Sequence, residues 1–306
     1  MWGNGPARHE MPAGPSIVFE MEFETNEIGL TLCGVVLRFF SKIRLRVNGG
    51  IDAFITSMPP DVTVNVEKGF QNFPNRLRGE DAVMRYAAEG KYLLTAGKPP
   101  VGSSGVVVRY HSDFSDVNVL LDVDRCGRDV RQIVRILQCF PMRELLARYD
   151  AVLLHSSRVE ADGRAIVFSA PSGVGKTTQA RLWEQYAGAR IVSNDRTIVR
   201  RIGGRFVTSG FPVDGSDPVL DPAIIPLGAA VLLRQGTENS AQRLPAGRAL
   251  ALLMEQTSVH RWDGAGISQA MLFWSDLLAE YPAILLTCRP DEGAVRCLQA
   301  ALKEGK

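Results

Sequence analysis

The segment Ala170-Pro171-Ser172-Gly173-Val174-Gly175-Lys176-Thr177-Thr178 decides how this chain reads. It fits the phosphate-loop pattern G-x-x-x-x-G-K-[ST] at every fixed position but the first, where Ala170 stands in place of glycine. Ahead of it, Arg164–Ala170 is an apolar run of strand type; behind it, Lys176–Ala187 reads as a helix closed by Gly188. Gly173 and Gly175 free the backbone to turn its N–H groups inward around phosphate oxygens. The helix starting at Lys176 adds the positive end of its dipole. Lys176 is placed to reach β- and γ-phosphates and the Thr177 hydroxyl to hold Mg²⁺, with Ser172, Val174 and Thr178 completing the binding loop.

Two neighbouring segments can be placed against the loop. Asp162-Gly163 lies between the apolar runs Ala151–Arg158 and Arg164–Ala170, and D-G is a two-residue hairpin signal. Pairing through that turn sets His155 opposite Ala170, at the mouth of the loop, to touch a phosphate or an acceptor group; a structural histidine bonded to backbone is the competing reading. Past the helix, Arg190–Ser193 reads as a strand returning parallel to the loop strand and one place over, so Asn194 and Asp195 fall at its carboxyl end, where open α/β sheets bind ligands. A carboxylate at 195 can hold Mg²⁺, orient water or accept a proton from an attacking hydroxyl. A turn aspartate before Arg196 is the alternative.

Outward from this region the chain alternates strands and helices: apolar runs at Ala229–Leu233 and Ile284–Thr287, helices at Ala246–Ser258, Ser268–Glu280 and Asp291–Lys303. That is an α/β pattern. Upstream, Val130, Ile133, Val134 and Leu137 keep helical spacing, and Met142–Tyr149 continues helical after Pro141. Before Arg125 the signals are β: Ile17–Thr25, Ile28–Phe40, Lys42–Val47, Val106–Tyr110 and Val117–Val123, with one helix expected near Glu80–Glu89 and a loose Gly/Pro-rich tail over Met1–Pro15. With 306 residues, roughly two domains of about 150 are expected. We divide the chain into a β-rich accessory or substrate-recruiting domain, 1–125, and a phosphate-loop domain, 126–306.

Composition removes several classes. Apolar residues are 45% and charged residues 22%, as in globular proteins, so the chain is not disordered. A net charge of +2 marks no nucleic-acid partner. The Ile28–Phe40 run is too short for a bilayer and carries Arg38, and Met1–Pro15 has no signal-peptide core, so neither a membrane nor export is expected. Cys33, Cys126, Cys139, Cys288 and Cys297 are odd in number and scattered, which points to the reducing cytoplasm.

His155-Ser156-Ser157 placed 21 positions before the loop lysine, the Ser172-Gly-Val-Gly-Lys-Thr177 loop and Asn194-Asp195 resemble the HPr kinase/phosphorylase superfamily. The Gly-Lys-Thr-Thr end also looks like ATP-dependent phosphoenolpyruvate carboxykinase. With Leu153-Leu154-His155, Ala170-Pro171-Ser172-Gly173, Leu182-Trp183-Glu184, Asn194-Asp195-Arg196 and Trp262-Asp263, the pattern is most similar to HPr-kinase-like peptide kinases of bacterial peptide-modification clusters, including those acting on lasso-peptide precursors. The resemblance spans Phe140–Lys303. It implies a P-loop kinase core of the HPr-kinase/carboxykinase type that uses ATP and Mg²⁺ to phosphorylate a Ser or Thr hydroxyl of a peptide or protein. His155, Lys176 and Asp195 become catalytic candidates, and Thr177 and Asp195 metal candidates. Two departures stand out. Asn194 replaces the first of two adjacent acids, and the family's downstream Glu-x-Arg-Gly element is absent, with Gly210–Asp217 in that region. Asp214 or Asp217 could supply that acid, although turn roles suit both. A slow ATPase that gates peptide binding, a free-serine kinase and carboxykinase chemistry are the alternatives, the last disfavoured because the metal-binding Lys/His/Asp set of that family is not found in the sequence. Arg234 and Arg261 are weaker candidates for charge neutralisation, and Met271, Phe273 and Trp274 read as core residues.

Overall fold

A computed structural model describes residues 22–47, 50–69, 73–97, 105–213, 219 and 221–303. The Met1–Pro15 tail, the start of the Ile17–Thr25 run, Asp214 and Asp217 lie outside these residues. The fold is mixed α/β, with two eight-stranded sheets.

The first sheet holds β1 (Phe23–Leu32), β2 (Val35–Val47), β3 (Val62–Lys68), β4 (Gly79–Glu80), β5 (Met84–Glu89), β6 (Tyr92–Gly97), β7 (Val106–His111) and β8 (Val117–Leu121). Their order is β1-β2-β3-β8-β7-β6-β5-β4. The apolar Ile28–Phe40 run folds back on itself: Leu32 pairs with Val35 across Cys33-Gly34, whose φ angles are 52° and 79°. Two consecutive left-handed residues are what a tight hairpin needs. The helix expected at Glu80–Glu89 is instead the hairpin arm β5, paired residue by residue with β6 around Gly90 (φ 58°). Ala87, Ala88 and Glu89 favour a helix in isolation, but Met84 and Tyr86 alternate into the interior, and pairing overrides local propensity.

Three helices, α1 (Val123–Cys126), α2 (Ile133–Cys139) and α3 (Met142–Arg148), lead to the second sheet. Val130, Ile133, Ile136, Leu137, Phe140, Leu145 and Leu146 pack with Leu37, Phe39, Val64, Val108 and Tyr110 in one core, which Leu153, Ile198 and Phe211 of the second sheet also enter. The change of sheet near residue 125 is therefore not a break in the core.

The second sheet comprises β9 (Ala151–Ala161), β10 (Arg164–Ser169), β11 (Arg190–Ser193), β12 (Arg196–Ile202), β13 (Arg205–Gly210), β14 (Ile225–Gln235), β15 (Ser240–Arg243) and β16 (Ile284–Cys288). β10, β14 and β16 run parallel side by side, and β9, β12, β13 and β15 pair antiparallel. Alternation sorts side chains to two faces. Val167, Ala230 and Leu232 meet α5 (Ala246–Gln256) and α6 (Gly264–Glu280); Ile166, Phe168, Val231 and Leu233 meet α4 (Lys176–Ala187) and α7 (Glu292–Lys303). On α6, Phe273 and Trp274 are core as expected, whereas Met271 is 42% exposed. No helix among the described residues is long and apolar enough to cross a membrane.

Candidate functional site

β10 ends at Ser169, and the glycine-rich loop joins it directly to α4. Gly173 has φ 80° and Gly175 φ 117°, backbone conformations that an L side chain rarely adopts. A Cβ on Gly173 would meet nothing within 4 Å among the described residues, so conformation rather than space calls for glycine there. Gly175 is the N-cap of α4, and no side chain caps that end. The first amides of a twelve-residue helix thus face the loop without a side-chain acceptor. Lys176 is only 7% exposed, and its ammonium donates to the carbonyls of Ala170 (2.8 Å) and Pro171 (3.3 Å). Burial pushes its pKa below the ordinary lysine value, and the Asp195 carboxylate pulls against that shift. Thr177 is half-buried; Ser172 and Thr178 are exposed.

His155 comes to this loop through the β9–β10 hairpin. Asp162 (φ 51°) and Gly163 (φ 69°) make the turn, and Ser169 pairs with Ser156, so the register carries Ala170 opposite His155. The Ser169 hydroxyl donates to the His155 carbonyl at 3.0 Å. Asp195 arrives from the other edge of β9. β11 is not the immediate neighbour of β10: it pairs antiparallel with β9, as does β12, and the two lie end to end along that edge. The expected position one strand over is corrected to two strands over, because the hairpin arm β9 occupies the place beside β10. Asp195 sits in the link between β11 and β12, held by its carbonyl, which accepts from the Ser156 amide at 3.0 Å.

The His155 Nδ1 lies 3.1 Å from the Asp195 carbonyl oxygen and 3.3 Å from its Oδ1. Both are acceptors, so Nδ1 carries the hydrogen and Nε2 of the neutral ring keeps its lone pair. The two side chains are about one-third exposed, at 34% and 30%. Arg196, which sequence reading passed over as a site residue, pairs with His155 in register and brings Nε to 3.5 Å from Asp195 Oδ2. Asn194 has a different place: its Oδ1 is buried with no donor among the described residues, and its carbonyl accepts from Ser157 at 3.0 Å.

Gln235, at the carboxyl end of β14, donates to the Gly173 carbonyl at 3.3 Å. The signal that could have found it is positional: it follows a buried parallel strand beside the loop strand. Arg234 donates to Thr287 Oγ1 at 3.1 Å on the adjacent β16. Arg261 and Trp262 are not part of this grouping, since the Trp262 ring packs against Gly79 and Tyr86 at the edge of the first sheet. Among the described residues no cluster of three His, Cys, Asp or Glu side chains could hold a metal by itself.

The arrangement offers an anion cradle beside a histidine–carboxylate pair. Residues 119–273, just over half of the chain, match the family model described as SynChlorMet cassette protein ScmC. No curated protein matches the chain.

Proposed function

The chain belongs to the SynChlorMet cassette protein ScmC family, and we propose that it is an ATP- and Mg²⁺-dependent P-loop kinase that phosphorylates a Ser or Thr hydroxyl of a peptide or protein. The observation that carries this reading is the grouping of three features beyond the end of β10 and beside the middle of β9: the open amides before α4, the Lys176 ammonium, and the His155–Asp195 pair. Amides and ammonium suit phosphate oxygens; a neutral imidazole oriented by a carboxylate suits removal of a hydroxyl proton.

The residues present fit the implied nucleotide and metal. Gly173 and Gly175 add no side chain of their own to the loop. Lys176 is held by the loop's own carbonyls, with its charge kept at the cradle. Thr177 and the Asp195 carboxylate are the protein groups that would hold Mg²⁺; this cation commonly takes one or two protein oxygens and completes its shell with water and phosphate. ATP, when bound, supplies the phosphoryl group. Within the chain, Asp195 orients His155 through Nδ1, and His155 Nε2 takes the acceptor proton. Arg196 steadies the carboxylate. The division of labour between residues 1–125 and 126–306, the cytoplasmic setting of five free thiols and a place in peptide modification belong to the same proposal.

Calorimetric titration with ATP and Mg²⁺ tests it. Lys176→Ala removes the charge from the cradle and leaves the hydrophobic clusters intact, so nucleotide affinity should collapse with little change in apo melting temperature. Equal affinity for ATP in the two proteins refutes the nucleotide assignment.

A further inference from the structure

Between the two sheets, beside α3 and the start of α6, lies a cavity of about 390 Å³. That falls in the range of small-molecule sites, about 300–1,000 Å³. Its apolar wall includes Leu93 of β6, Val152 of β9, Val259 and Phe273 of α6. Its polar wall includes Tyr110 of β7, three arginines (Arg78, Arg143 and Arg148) and three carboxylates (Glu144, Asp150 and Asp263). What such a cavity takes depends on which of these groups are already committed within the protein.

The carboxylates are taken. Glu144 Oε1 lies 3.1 Å from His260 Nε2, and Glu144 Oε2 has no surface that a ligand could reach. Asp150 accepts from Arg201 at 2.6 Å. Asp263 accepts from the Gly266 amide at 3.1 Å with Oδ1, and its Oδ2 stands where a Cβ on Gly266 would go. Several donors are not taken. Arg143 commits Nη1 to Asp81, His260 and Tyr86, while its Nε and Nη2 meet no acceptor among the described residues and are not sealed from solvent. Arg78, which lies over the Trp262 ring, and Arg148 are exposed and have no carboxylate partner among the described residues. Tyr110 is the most telling. It is 1% exposed, and its ring stacks on Phe114 at 5.2 Å. Its hydroxyl has no partner among the described residues and is not sealed either, so its small open surface belongs to the cavity that it lines. Burial, and next the Glu144 carboxylate, push the phenol pKa up, so the group stays an O–H donor. A buried hydroxyl without a partner is costly, and an acceptor on a ligand removes that cost. Two adjacent guanidinium N–H groups match the two oxygens of a carboxylate.

We propose that this cavity binds an organic carboxylate, with its oxygens on the open nitrogens of Arg143 and the Tyr110 hydroxyl and its apolar body against Leu93, Val259 and Phe273. Arg78 and Arg148 draw the anion in from the rim. The proposal stands on the cavity alone and does not need the kinase reading. The carboxylate belongs either to a free acid or to an acidic side chain of a peptide. The second source is within reach of the phosphate loop, since Val152 at the cavity margin is three residues along β9 from His155, roughly 10 Å.

The test uses the full chain without nucleotide. Calorimetric titration compares phenylacetate and hexanoate with phenylacetamide and hexanamide, and a capped peptide carrying one glutamate with its glutamine counterpart. At least one acid should bind about tenfold or more tightly than its own amide. Preference for the free acids alone assigns the cavity to a small molecule, and preference for the glutamate peptide assigns it to a peptide side chain; either upholds the carboxylate site. Tyr110→Phe removes only a hydroxyl that has no partner within the protein, so the melting temperature should hold or rise while affinity for the acid falls about tenfold. Arg143→Lys keeps a positive charge beside Asp81, loses the paired N–H groups and should erase the preference for acid over amide. If that variant fails to fold, Tyr110→Phe decides alone. Acids that bind no better than amides, or acid affinity unchanged in Tyr110→Phe, overturn the proposal. Lys176→Ala separates this site from the glycine-rich loop: acid binding should persist in it while ATP binding collapses. Acid binding lost with Lys176 would place the acids on the loop and overturn the cavity assignment, whereas ATP binding retained with acid binding intact would refute the nucleotide reading and leave the cavity standing.

Discussion

His155 acquires its role from a single atom-level fact: both oxygens facing Nδ1 are acceptors, one a main-chain carbonyl and one a carboxylate. With that tautomer fixed, His155→Asn removes the proton acceptor while keeping a polar group in the cleft. Phosphoryl transfer should fall by about two to four orders of magnitude, the usual contribution of a general base, with ATP affinity retained. Asp195→Asn should produce a loss of similar size, because an amide holds neither charge nor tautomer. Steady-state transfer rates beside ATP titrations check both. If Asn194→Ala is inactive while Asp195→Asn turns over normally, the two neighbours have been assigned the wrong way round. The geometry already distinguishes them: Asp195 reaches His155 and Arg196, and the Asn194 side-chain oxygen is turned into the protein.

At the scale of elements, the β10–loop–α4 unit depends on a backbone that only glycine adopts without strain. Gly175→Ala forces a Cβ onto φ 117°, at a cost of about 1–3 kcal/mol. Among the described residues, the one atom such a Cβ would meet within 4 Å is Thr178 Cβ at 3.9 Å, so the cost is conformational rather than steric. The loop can relieve it by changing shape, which spoils the amide cradle. Nucleotide affinity should therefore drop by a larger factor than apo stability alone would give. A comparison of ATP titration with denaturant unfolding measures the two; loss of stability with unchanged affinity would show that the cradle does not use this backbone. The β11–β12 pair makes a related point. Four residues of strand are enough because Asp195 is fixed by main-chain bonding to β9 rather than by the length of β11.

The whole molecule is joined by one core and one polar staple. Because α2 and α3 bury their apolar faces with first-sheet residues and with Leu153, Ile198 and Phe211, calorimetry should record one unfolding transition. Leu137→Ala should lower its free energy by about 2–5 kcal/mol; two resolved transitions would contradict a shared core. A chain beginning at residue 126 should fail to fold, since Ile133, Ile136, Phe140 and Leu145 lose their cover. The staple is His260, 3% exposed, between Asp81 of the first sheet's edge and Glu144 of α3, with Arg143 alongside, Tyr86 against its edge and Trp262 stacked on its face. Burial disfavours its charge, but the bonds to Asp81 and Glu144 outweigh burial and raise its pKa above 6.5. For Asp81 burial likewise works against the charge, and bonds from His260, Arg143 and two backbone amides hold the carboxyl well below its ordinary range. The His260 contribution is thus complete below about pH 6.5 and fades as pH rises through the raised folded value. The Asp81 contribution is complete above the ordinary carboxylate value and fades as pH falls through the depressed one. His260→Gln should flatten the alkaline decline of the melting temperature, and scanning calorimetry in pH steps reads it directly. Parallel curves for the two proteins would show that the staple does not titrate.

Particular residues show how far the amino-acid order reaches. The loop, its flanking strand and helix, and the opposition of His155 to Ala170 were legible because each depends on neighbours within a few residues: glycines at fixed spacing, an apolar run of period two, a D-G turn that sets its own register. Arg190–Ser193 was legible as a strand but not in its place, since pairing partners are chosen by which edge remains free once the β9–β10 hairpin has formed. The Glu80–Glu89 segment was misread for the same reason: its local preference for helix is small beside the ladder with β6 and the burial of Met84 and Tyr86. Gln235, Arg196, Glu144 and His260 carry no local signature at all. Each gains its contact from an element distant in the chain, so only the tertiary structure sets Gln235 against Gly173 and leaves one Glu144 oxygen buried without a donor. The sequence by itself determined the glycine-rich strand–loop–helix unit and the mixed α/β class of fold, because those follow from short-range backbone chemistry. The tertiary structure decided what stands around the loop, because long-range packing chooses among many partners that the sequence leaves equally open.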